Sequence, residues 1–572
     1  MSRAVFKTSY QNQPSLFPYS FDSFIDEHHP VRLINQVIDQ LDITDILQSY
    51  KGGGASSFHP KMLLKVLIYG YLNNIYSSRK IAKALKENVG FMWLSGMQFP
   101  DHRTINYFRG KRLKGNIEEI FKQVVLFLQA QGLVTLEEVF TDGTKIEAVS
   151  NRYTFVWKKS IEKYKARLEE KIQSVISEIN EAIEQDNIAG NKQEKPQHPI
   201  ADLSTSELNH HIEELNQKLK EQNAPRRLQK KIKKLQKESL PKLMEYETKL
   251  SILKERNSYS KTDLEATFMR MKEDHMKNGQ LKPAYNLQIS TENNFLTNYS
   301  VHQNPGDTTT YQIHLESFEK KYNRYPKRAI ADAGYGSLEN YDFMEEKGID
   351  NYVKYNYFHK EQSKKFKLDI SKVENLHYNE KDDFLVCPMG QKMHPVSTRI
   401  RESKAGYQYQ VVNYKAKNCV GCPVRGTCHK QEGNRTIEIN KKLIKHKYKA
   451  KENLNSSVGK ELRKRRNSEV EQTFGQLKSN KKFNRFLLKG LEKTSIEIGI
   501  LALAHNFQKL SKFLREKHGK NIDKSLLKTC IRLIHLISNI SLRDIIRITE
   551  KCNQNSFQFV SLRYPENIKL AA

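Results

Sequence analysis

The sequence predicts a mixed α/β fold in which helical segments flank and interrupt a sheet. Apolar residues recur at helical spacing between Pro60 and Arg109. Between Tyr285 and Val301, apolar and polar residues alternate with the two-residue period of a β-hairpin, which turns near Glu292. Further strands are predicted at Glu138 to Val149 and at Ala329 to Ala333. With 572 residues, the chain is long enough for two to four structural units.

The strong positive charge indicates a polyanionic partner. Lysine and arginine number 96 against 65 acidic residues, which gives a net charge of +31 and a pI of about 9.6. Nucleic acid is the first candidate. A membrane partner is not expected, since no apolar run approaches the ~18 residues that a spanning helix needs. No signal peptide is visible either, so we expect a cytoplasmic protein.

Residues 1–135 are predicted to form a helical DNA-binding domain. After the helix that begins near Pro60, a second helix follows Ser77 and a third follows Asp101, where Arg103 belongs to a basic cluster. Short helices with basic residues suit a helix-turn-helix module, and Arg103 is a candidate DNA contact. An ordinary helical bundle with a solvated basic face fits the spacing equally well.

Between residues 157 and 257 the composition predicts a coiled-coil insertion. Leu168, Ile172, Val175 and Ile179 alternate steps of four and three, and similar rows follow further along. Prolines such as Pro241 are expected to break the arm. It could serve in dimerisation or in clamping DNA, or it could be a passive insertion with solvated charge.

Three carboxylates are candidates for metal-dependent phosphodiester chemistry. Asp142 and Asp332 each interrupt an apolar strand, which is costly unless the charge is paired or metal-bound. Glu471 lies on a helix that begins near Arg463, and Lys478 shares its face. Two divalent ions held by such carboxylates can activate the attacking oxygen and stabilise the leaving oxygen. We therefore predict two Mg²⁺ or Mn²⁺ ions at Asp142, Asp332 and Glu471.

The same helix carries candidate contacts to DNA phosphates. The candidates are Arg465, Arg466 and Lys478. A run of basic residues is often only a solvated helix face.

Four of the six cysteines crowd into one stretch, which predicts a structural zinc site in a cysteine-rich insertion at residues 377–432. The predicted ligands are Cys387, Cys419, Cys422 and Cys428. Free thiols are the alternative, because Cys387 has no second cysteine three residues later.

Four motifs resemble the bacterial insertion-sequence transposases of the 1182-type group. They are Asp-Gly-Thr-Lys from Asp142, the stretch Met269 to Asn286, Ala-Asp-Ala-Gly-Tyr-Gly around Asp332, and Val-Glu-x-x-Phe-Gly-x-x-Lys around Glu471. The likeness runs from about Phe58 to Leu510. It implies a DDE-type enzyme whose ribonuclease-H-like catalytic core uses magnesium. It also implies that the N-terminal helices resemble the family's helical domain.

The resemblance leaves the catalytic glutamate open between two registers. The wider family's signature is Tyr, two residues, Arg, three residues, Glu, six residues, Lys. From Glu471 the lysine fits as Lys478, but Asn467 stands where arginine is expected. From Glu469 the arginine fits as Arg465, but the lysine is missing. Glu471 is preferred, because the Val-Glu-x-x-Phe-Gly motif surrounds it.

These observations predict an insertion-sequence transposase. It would bind terminal inverted repeats and target DNA in the nucleoid, as a homodimer on DNA ends, and carry out strand cleavage and transfer. The catalytic domain is expected at residues 136–513 and a basic helical tail at 514–572. Two alternatives are a DNA-binding regulator with an inactive nuclease-like core and a coiled-coil scaffold protein.

Overall fold

The computed structural model describes residues 20–519, except for 52, 54–55, 190–203, 222–225, 272–278 and 404–405. The described residues form two compact units, one of residues 20–126 with 503–519 and one of residues 127–502. The predicted domain boundaries at 135 and 513 stay predictions beside this division. Most of the predicted basic tail, residues 520–572, lies outside the described residues.

The first unit is helical, as the spacing predicts. Its helices, the last of which continues into the second unit, are α1 (Pro30–Gln40), α2 (Thr44–Gln48), α3 (Pro60–Leu72), α4 (Ser78–Glu87), α5 (Val89–Ser95), α6 (His102–Tyr107) and α7 (Ile117–Ala130). The predicted third helix is confirmed as α6, where the Asp101 carboxylate accepts a hydrogen bond from Thr104 N at 2.7 Å. Arg109 is buried and donates to the Tyr71 hydroxyl and to Tyr76 O.

The second unit contains all the strands of the described residues. In chain order they are β1 (Glu138–Glu147), β2 (Phe155–Trp157), β3 (Ser258–Ser260), β4 (Thr267–Arg270), β5 (Leu281–Glu292), β6 (Phe295–His302), β7 (Arg328–Ala331), β8 (Asp350–Val353), β9 (His377–Asn379), β10 (Phe384–Val386), β11 (Lys392–Glu402), β12 (Gln408–Lys415) and β13 (Thr436–Ile439). The mixed α/β class is therefore confirmed.

The main sheet joins an antiparallel half to a parallel half at β1. Its order is β4-β5-β1-β7-β8, with β6 also paired to β5. β1 pairs antiparallel with β5 and parallel with β7, which in turn pairs parallel with β8. The predicted hairpin is confirmed as β5 and β6, which are joined at Asn293 and Asn294, both in left-handed conformation.

Helices of the second unit cover this sheet and form the insertions. They are α8 (Lys158–Ala189), α9 (Thr205–Glu221), α10 (Arg226–Lys234), α11 (Leu240–Leu253), α12 (Asp307–Tyr322), α13 (Leu338–Glu346), α14 (Lys364–Lys367), α15 (Arg425–Cys428), α16 (Lys441–Asn455), α17 (Ser457–Arg466), α18 (Gln472–Gly475) and the first part of α19 (Leu491–Gly519), whose residues 503–519 belong to the first unit. The helix expected near Arg463 begins earlier, at Ser457, where the Ser456 hydroxyl accepts from Gly459 N.

The insertion at 157–257 folds on its own hydrophobic core. Helices α8 to α11 share this core, which includes the predicted apolar residues Ile172, Ile179 and Ile212. The β2–β3 pair closes the insertion where it leaves and rejoins the main chain. The predicted break at Pro241 is wrong, because a π-helical turn at Leu235–Ser239 leads directly into α11. The coiled-coil geometry stays a prediction.

The cysteine-rich stretch contains a second antiparallel sheet that the sequence analysis did not predict. Its order is β13-β12-β11-β10-β9. Leu385, Met393, Tyr414 and Cys419 are buried in its core. The spacing of the cysteines predicted a metal site, whereas the strands around them form an apolar core.

Candidate active site

Asp142, within β1, and Asp332, directly after β7, lie side by side just beyond the paired stretch of these two parallel strands. Phe140 in β1 is registered with Ile330 in β7, and each aspartate follows its registered residue by two positions. Asp332 directly follows β7 and accepts from Gly334 N at 2.8 Å. Since neighbouring strands are about 4.8 Å apart, this register brings the two aspartates together.

One arginine lies between the two carboxylates. Arg466 Nη2 is 3.6 Å from Asp142 Oδ2 and 3.7 Å from Asp332 Oδ2. The side chains of Arg466 and Asp142 are only 7% and 13% exposed, whereas that of Asp332 is 44% exposed. The two aspartates therefore converge on a single positive group near the protein surface.

Glu471 and Glu469 occupy different environments in the π-helical turn Asn467–Glu471. Glu469 is buried, accepts from Asn294 N at 2.6 Å, and lies 3.7 Å from Arg465 Nη2. Glu471 is exposed. π-Helical turns occur frequently at functional sites, because the extra residue changes which side chains face the neighbouring element. Here the turn directs Glu469 into the protein and leaves Glu471 accessible.

The ammonium group of Lys354 is close enough to these charged groups for them to shift its pKa. Burial lowers the pKa of Lys354, and the positive charges of Arg466 and Arg463 lower it further. Asp332 and Glu471 oppose this shift. Glu471 therefore acts on the same ammonium group as Asp332, even though the two carboxylates are on different elements.

A hydrogen-bonded network of buried polar side chains lies next to the aspartate pair. The Asp307 carboxylate accepts from Asn286 Nδ2 and Gln288 Nε2, both at 2.9 Å, and Gln288 in turn accepts from the Tyr335 hydroxyl. A Cβ atom added to Gly143 would lie 2.8 Å from Asp307 Oδ1. Asp307 therefore packs against the residue that follows Asp142.

Sequence reasoning missed this network. Asp307 looks like a helix N-cap, but Gly306 occupies that position and the carboxylate turns towards the sheet instead. The sequence feature that could have revealed the network is the pair of amides Asn286 and Gln288, which lie on one face of β5. Both side chains are fully buried, although amides at alternate positions of a strand often face solvent.

The donor set at the aspartates suits a hard divalent cation. Carboxylate oxygens are the ligands that Mg²⁺ prefers, and the position between Asp142 and Asp332 already holds a positive group. In the described part of the chain, no three His, Cys, Asp or Glu side chains are close enough to hold a metal ion. Two converging carboxylates are thus present, while Glu471 has not joined them within coordinating distance.

The predicted DNA contacts lie in dissimilar surroundings. Arg465 pairs with Glu138 at 2.9 Å, and its guanidinium lies over the Phe140 ring. Lys478 is half-buried in a second π-helical turn, Gln476–Asn480. Arg103 is exposed on α6 in the first unit. Intramolecular partners therefore already engage Arg465, as they do Arg466.

The zinc prediction is not supported, because the four thiols do not form a metal-binding group in the described residues. Cys387 Sγ accepts from Gln391 N, and Cys419 Sγ accepts from Arg435 N. Cys428 is buried and accepts from Arg435 Nη1 at 2.8 Å. Cys422 is half-buried. The spacing of these cysteines predicted a metal site, but the contacts of the thiols in the structure are hydrogen bonds and apolar packing.

Membrane insertion also finds no support, since no helix within the described ranges is long and apolar enough to cross a bilayer.

Comparison with protein families identifies two transposase segments. Residues 386–511, which include Glu471 and Lys478, match a family described as a transposase DDE domain. Residues 19–111, which include Arg103, match a transposase domain (DUF772). Neither the curated proteins nor the solved structures provide a match. Two separate segments thus match families of transposase domains, and both support a DDE-type insertion-sequence transposase.

Proposed function

We propose that the protein binds the terminal inverted repeats of its insertion sequence, cleaves the DNA strands at the element's ends, and transfers the freed 3′ hydroxyls to target DNA. The convergence of Asp142 in β1 and Asp332 after the parallel strand β7 on one arginine is the observation that carries this proposal. The motif resemblance extends the proposal to a transposase of the 1182-type group.

The catalytic core is proposed to be ribonuclease-H-like. Its support is the sheet in which antiparallel strands β6, β5 and β1 continue into parallel strands β7 and β8. In this arrangement β1 presents Asp142 from the centre of the sheet, and the chain after β7 presents Asp332 beside it.

Asp142, Asp332 and Glu471 are proposed to hold two Mg²⁺ or Mn²⁺ ions. Such ions, when bound, activate the attacking oxygen and stabilise the leaving oxygen of the phosphodiester. Asp142 and Asp332 present oxygen ligands towards one point, and Glu471 is the accessible glutamate of the facing helix. Arg466 offsets one of the two negative charges of the aspartate pair.

Arg103, Arg465, Arg466 and Lys478 are proposed to contact DNA. For Arg465 and Arg466, such contact requires exchange of the carboxylate partners for phosphates. We further propose that two chains assemble on a pair of DNA ends, one chain for each end.

A cleavage assay on a duplex that contains the terminal repeat tests the catalytic proposal. The wild-type protein should cut at the repeat in Mg²⁺. Asp142→Asn and Asp332→Asn should bind the duplex with little change and lose more than about a hundredfold in rate, since even outer-shell substitutions at metal sites cost 10- to 100-fold.

Asp350→Asn is the matched control, because Asp350 is an exposed aspartate on β8 of the same sheet. Cleavage by Asp142→Asn at the wild-type rate would exclude the proposed mechanism. Binding without cleavage by the wild-type protein would favour a regulator with an inactive core. Absence of both would favour a scaffold.

The DNA partner is tested by salt. A chain of +31 that contacts six or more phosphates should lose about a thousandfold in affinity between 50 and 200 mM salt, because bound counterions are released. Affinity that does not change across this range would argue against phosphate-dominated binding.

A further inference from the structure

The loop that follows β8 forms an open cavity beside Asp332. We call residues Lys354 to Lys360 the aromatic loop, after its sequence Lys-Tyr-Asn-Tyr-Phe-His-Lys. All seven residues and Ala333 line a cavity of about 470 Å³. This volume lies in the range of small-molecule sites and accommodates a nucleotide.

The aromatic loop is held against the segment that carries Asp332. Lys354 N donates to Ala331 O at 3.3 Å. A Cβ atom added to Gly336 would collide with Lys354 O and lie 3.1 Å from Tyr355 Cα. Because the two backbones are this close, the cavity lies beside the segment that carries Asp332, and Ala333 of that segment lines it.

Tyr357 is an exposed aromatic residue within the loop. Its backbone is left-handed, with φ of +75°, which is rare for a bulky residue and is found most often at functional sites. The side chain is 46% exposed, and the Tyr357 ring centroid lies 5.8 Å from that of Phe366. Lys360 Nζ lies 5.4 Å from the Tyr357 ring centroid.

The rest of the aromatic loop is rigid and basic. Phe358 is buried, its ring centroid lies 5.5 Å from that of Tyr355, and the Arg463 guanidinium lies over it at 5.2 Å. The Tyr355 hydroxyl donates to Glu361 at 2.8 Å. Lys354, Lys360 and Arg463 together give the cavity a positive charge that complements phosphate.

We propose that the aromatic loop binds an unpaired nucleotide of the DNA strand next to the cleavage site, with its base stacked on Tyr357 and its phosphate at Lys354 and Lys360. This inference rests on the proposed function, which places DNA at Asp332. Stacking on an exposed ring needs a free base face, which a duplex does not offer, so the loop selects unpaired DNA. The binding is tolerant of base identity, since every base has a π-face.

The test compares two DNA probes on the full-length protein. Both carry the terminal repeat; one is fully paired, and the other ends in a two-nucleotide unpaired extension that contains 2-aminopurine. The wild-type protein should bind the extended probe more tightly and quench its fluorescence by stacking. Tyr357→Ala should weaken binding of the extended probe by about 5- to 150-fold, the range expected for one stacked base, and leave the paired probe within about twofold.

Tyr357→Phe is the conservative variant and should keep both the affinity and the quenching. Tyr153→Ala is the matched control, because Tyr153 is an exposed tyrosine of the same unit outside the aromatic loop. Lys360→Gln gives a second test, with an expected loss of affinity for the extended probe and a weaker salt dependence. The proposal would be overturned if Tyr357→Ala bound both probes as tightly as the wild-type protein does. Equal losses of affinity in Tyr357→Ala and Tyr357→Phe would also overturn it.

The cleavage assay separates this outcome from failure of the proposed function. If the wild-type protein cleaves the repeat and Tyr357→Ala shows no probe preference different from wild type, only the aromatic-loop proposal fails. If the wild-type protein never cleaves but stacks the 2-aminopurine in a Tyr357-dependent way, only the catalytic proposal fails.

Discussion

The aspartate pair and the cysteine set both resemble metal sites in the sequence, but they behave differently in the fold. Asp142 and Asp332 are separated by 189 intervening residues and still converge on one cation. The cysteines lie within a short stretch, yet they do not form a metal-binding group in the described residues. In this chain, proximity in sequence is therefore a poorer guide to the convergence of side chains than position on a shared sheet.

The difference has a geometric cause. A parallel strand pair fixes the positions of its residues through the backbone ladder, so two residues with equivalent register must be neighbours. Cysteines on loops and a short helix are positioned by their own turns and by local donors such as Arg435. Only the strands impose convergence without help from a bound ion.

The largest expected effect distinguishes the two glutamates that accompany the aspartate pair. Glu471→Gln should reduce Mg²⁺-dependent cleavage more than about a hundredfold with little change in the unfolding free energy, because Glu471 is exposed. Glu469→Gln should keep most activity and lose about 1–2 kcal/mol of stability, since its charged hydrogen bond to Asn294 N is weakened. Cleavage rates and urea unfolding of both variants provide the measurement. An active Glu471→Gln beside an inactive Glu469→Gln would assign catalysis to the other register.

A smaller effect is expected when the cation between the aspartates is removed. Arg466→Gln removes the cation between two facing carboxylates and should cost about 2 kcal/mol in metal-free buffer, less than the 3–5 kcal/mol of a fully buried pair because Asp332 is partly exposed. Mg²⁺ should then raise the melting temperature of this variant more than that of the wild type. Lys464→Gln, an exposed position on the same helix, is the control. Equal Mg²⁺ stabilisation of the wild type and Arg466→Gln would show that metal and arginine do not share the site.

The smallest effect concerns the cysteines. Cys428→Ser should cost about 1–2 kcal/mol, because Cys428 is buried and accepts from the Arg435 guanidinium. Cys422→Ser should change stability by less than about 0.5 kcal/mol, as expected for a side chain away from such contacts. Both are measured by chemical unfolding, with metal analysis of the purified protein. If both variants lost the same large amount of stability and the purified wild-type protein contained zinc, the cysteines would form a metal site after all.

Four strands of the main sheet, β1, β5, β6 and β7, could be predicted because their signals are local, whereas β4 and β8 were not predicted. The alternation around Ile289 and the turn at Asn293 define the hairpin, and apolar runs define β1 and β7. The second sheet, β9 to β13, was missed because β9, β10 and β13 are only three or four residues long and because the cysteines suggested another explanation. The Asp307 network was missed because burial of Asn286 and Gln288 depends on the helix above them.

The sequence by itself determined the fold class, the basic character and the motifs around Asp142 and Asp332, because periodicity, charge and residue spacing are properties of neighbouring residues. The tertiary structure alone decided that Arg466 lies between those aspartates and that Glu469 is buried while Glu471 is accessible. Both depend on how a π-helical turn is oriented against the sheet. Such orientation arises from packing between distant segments, which no local pattern encodes.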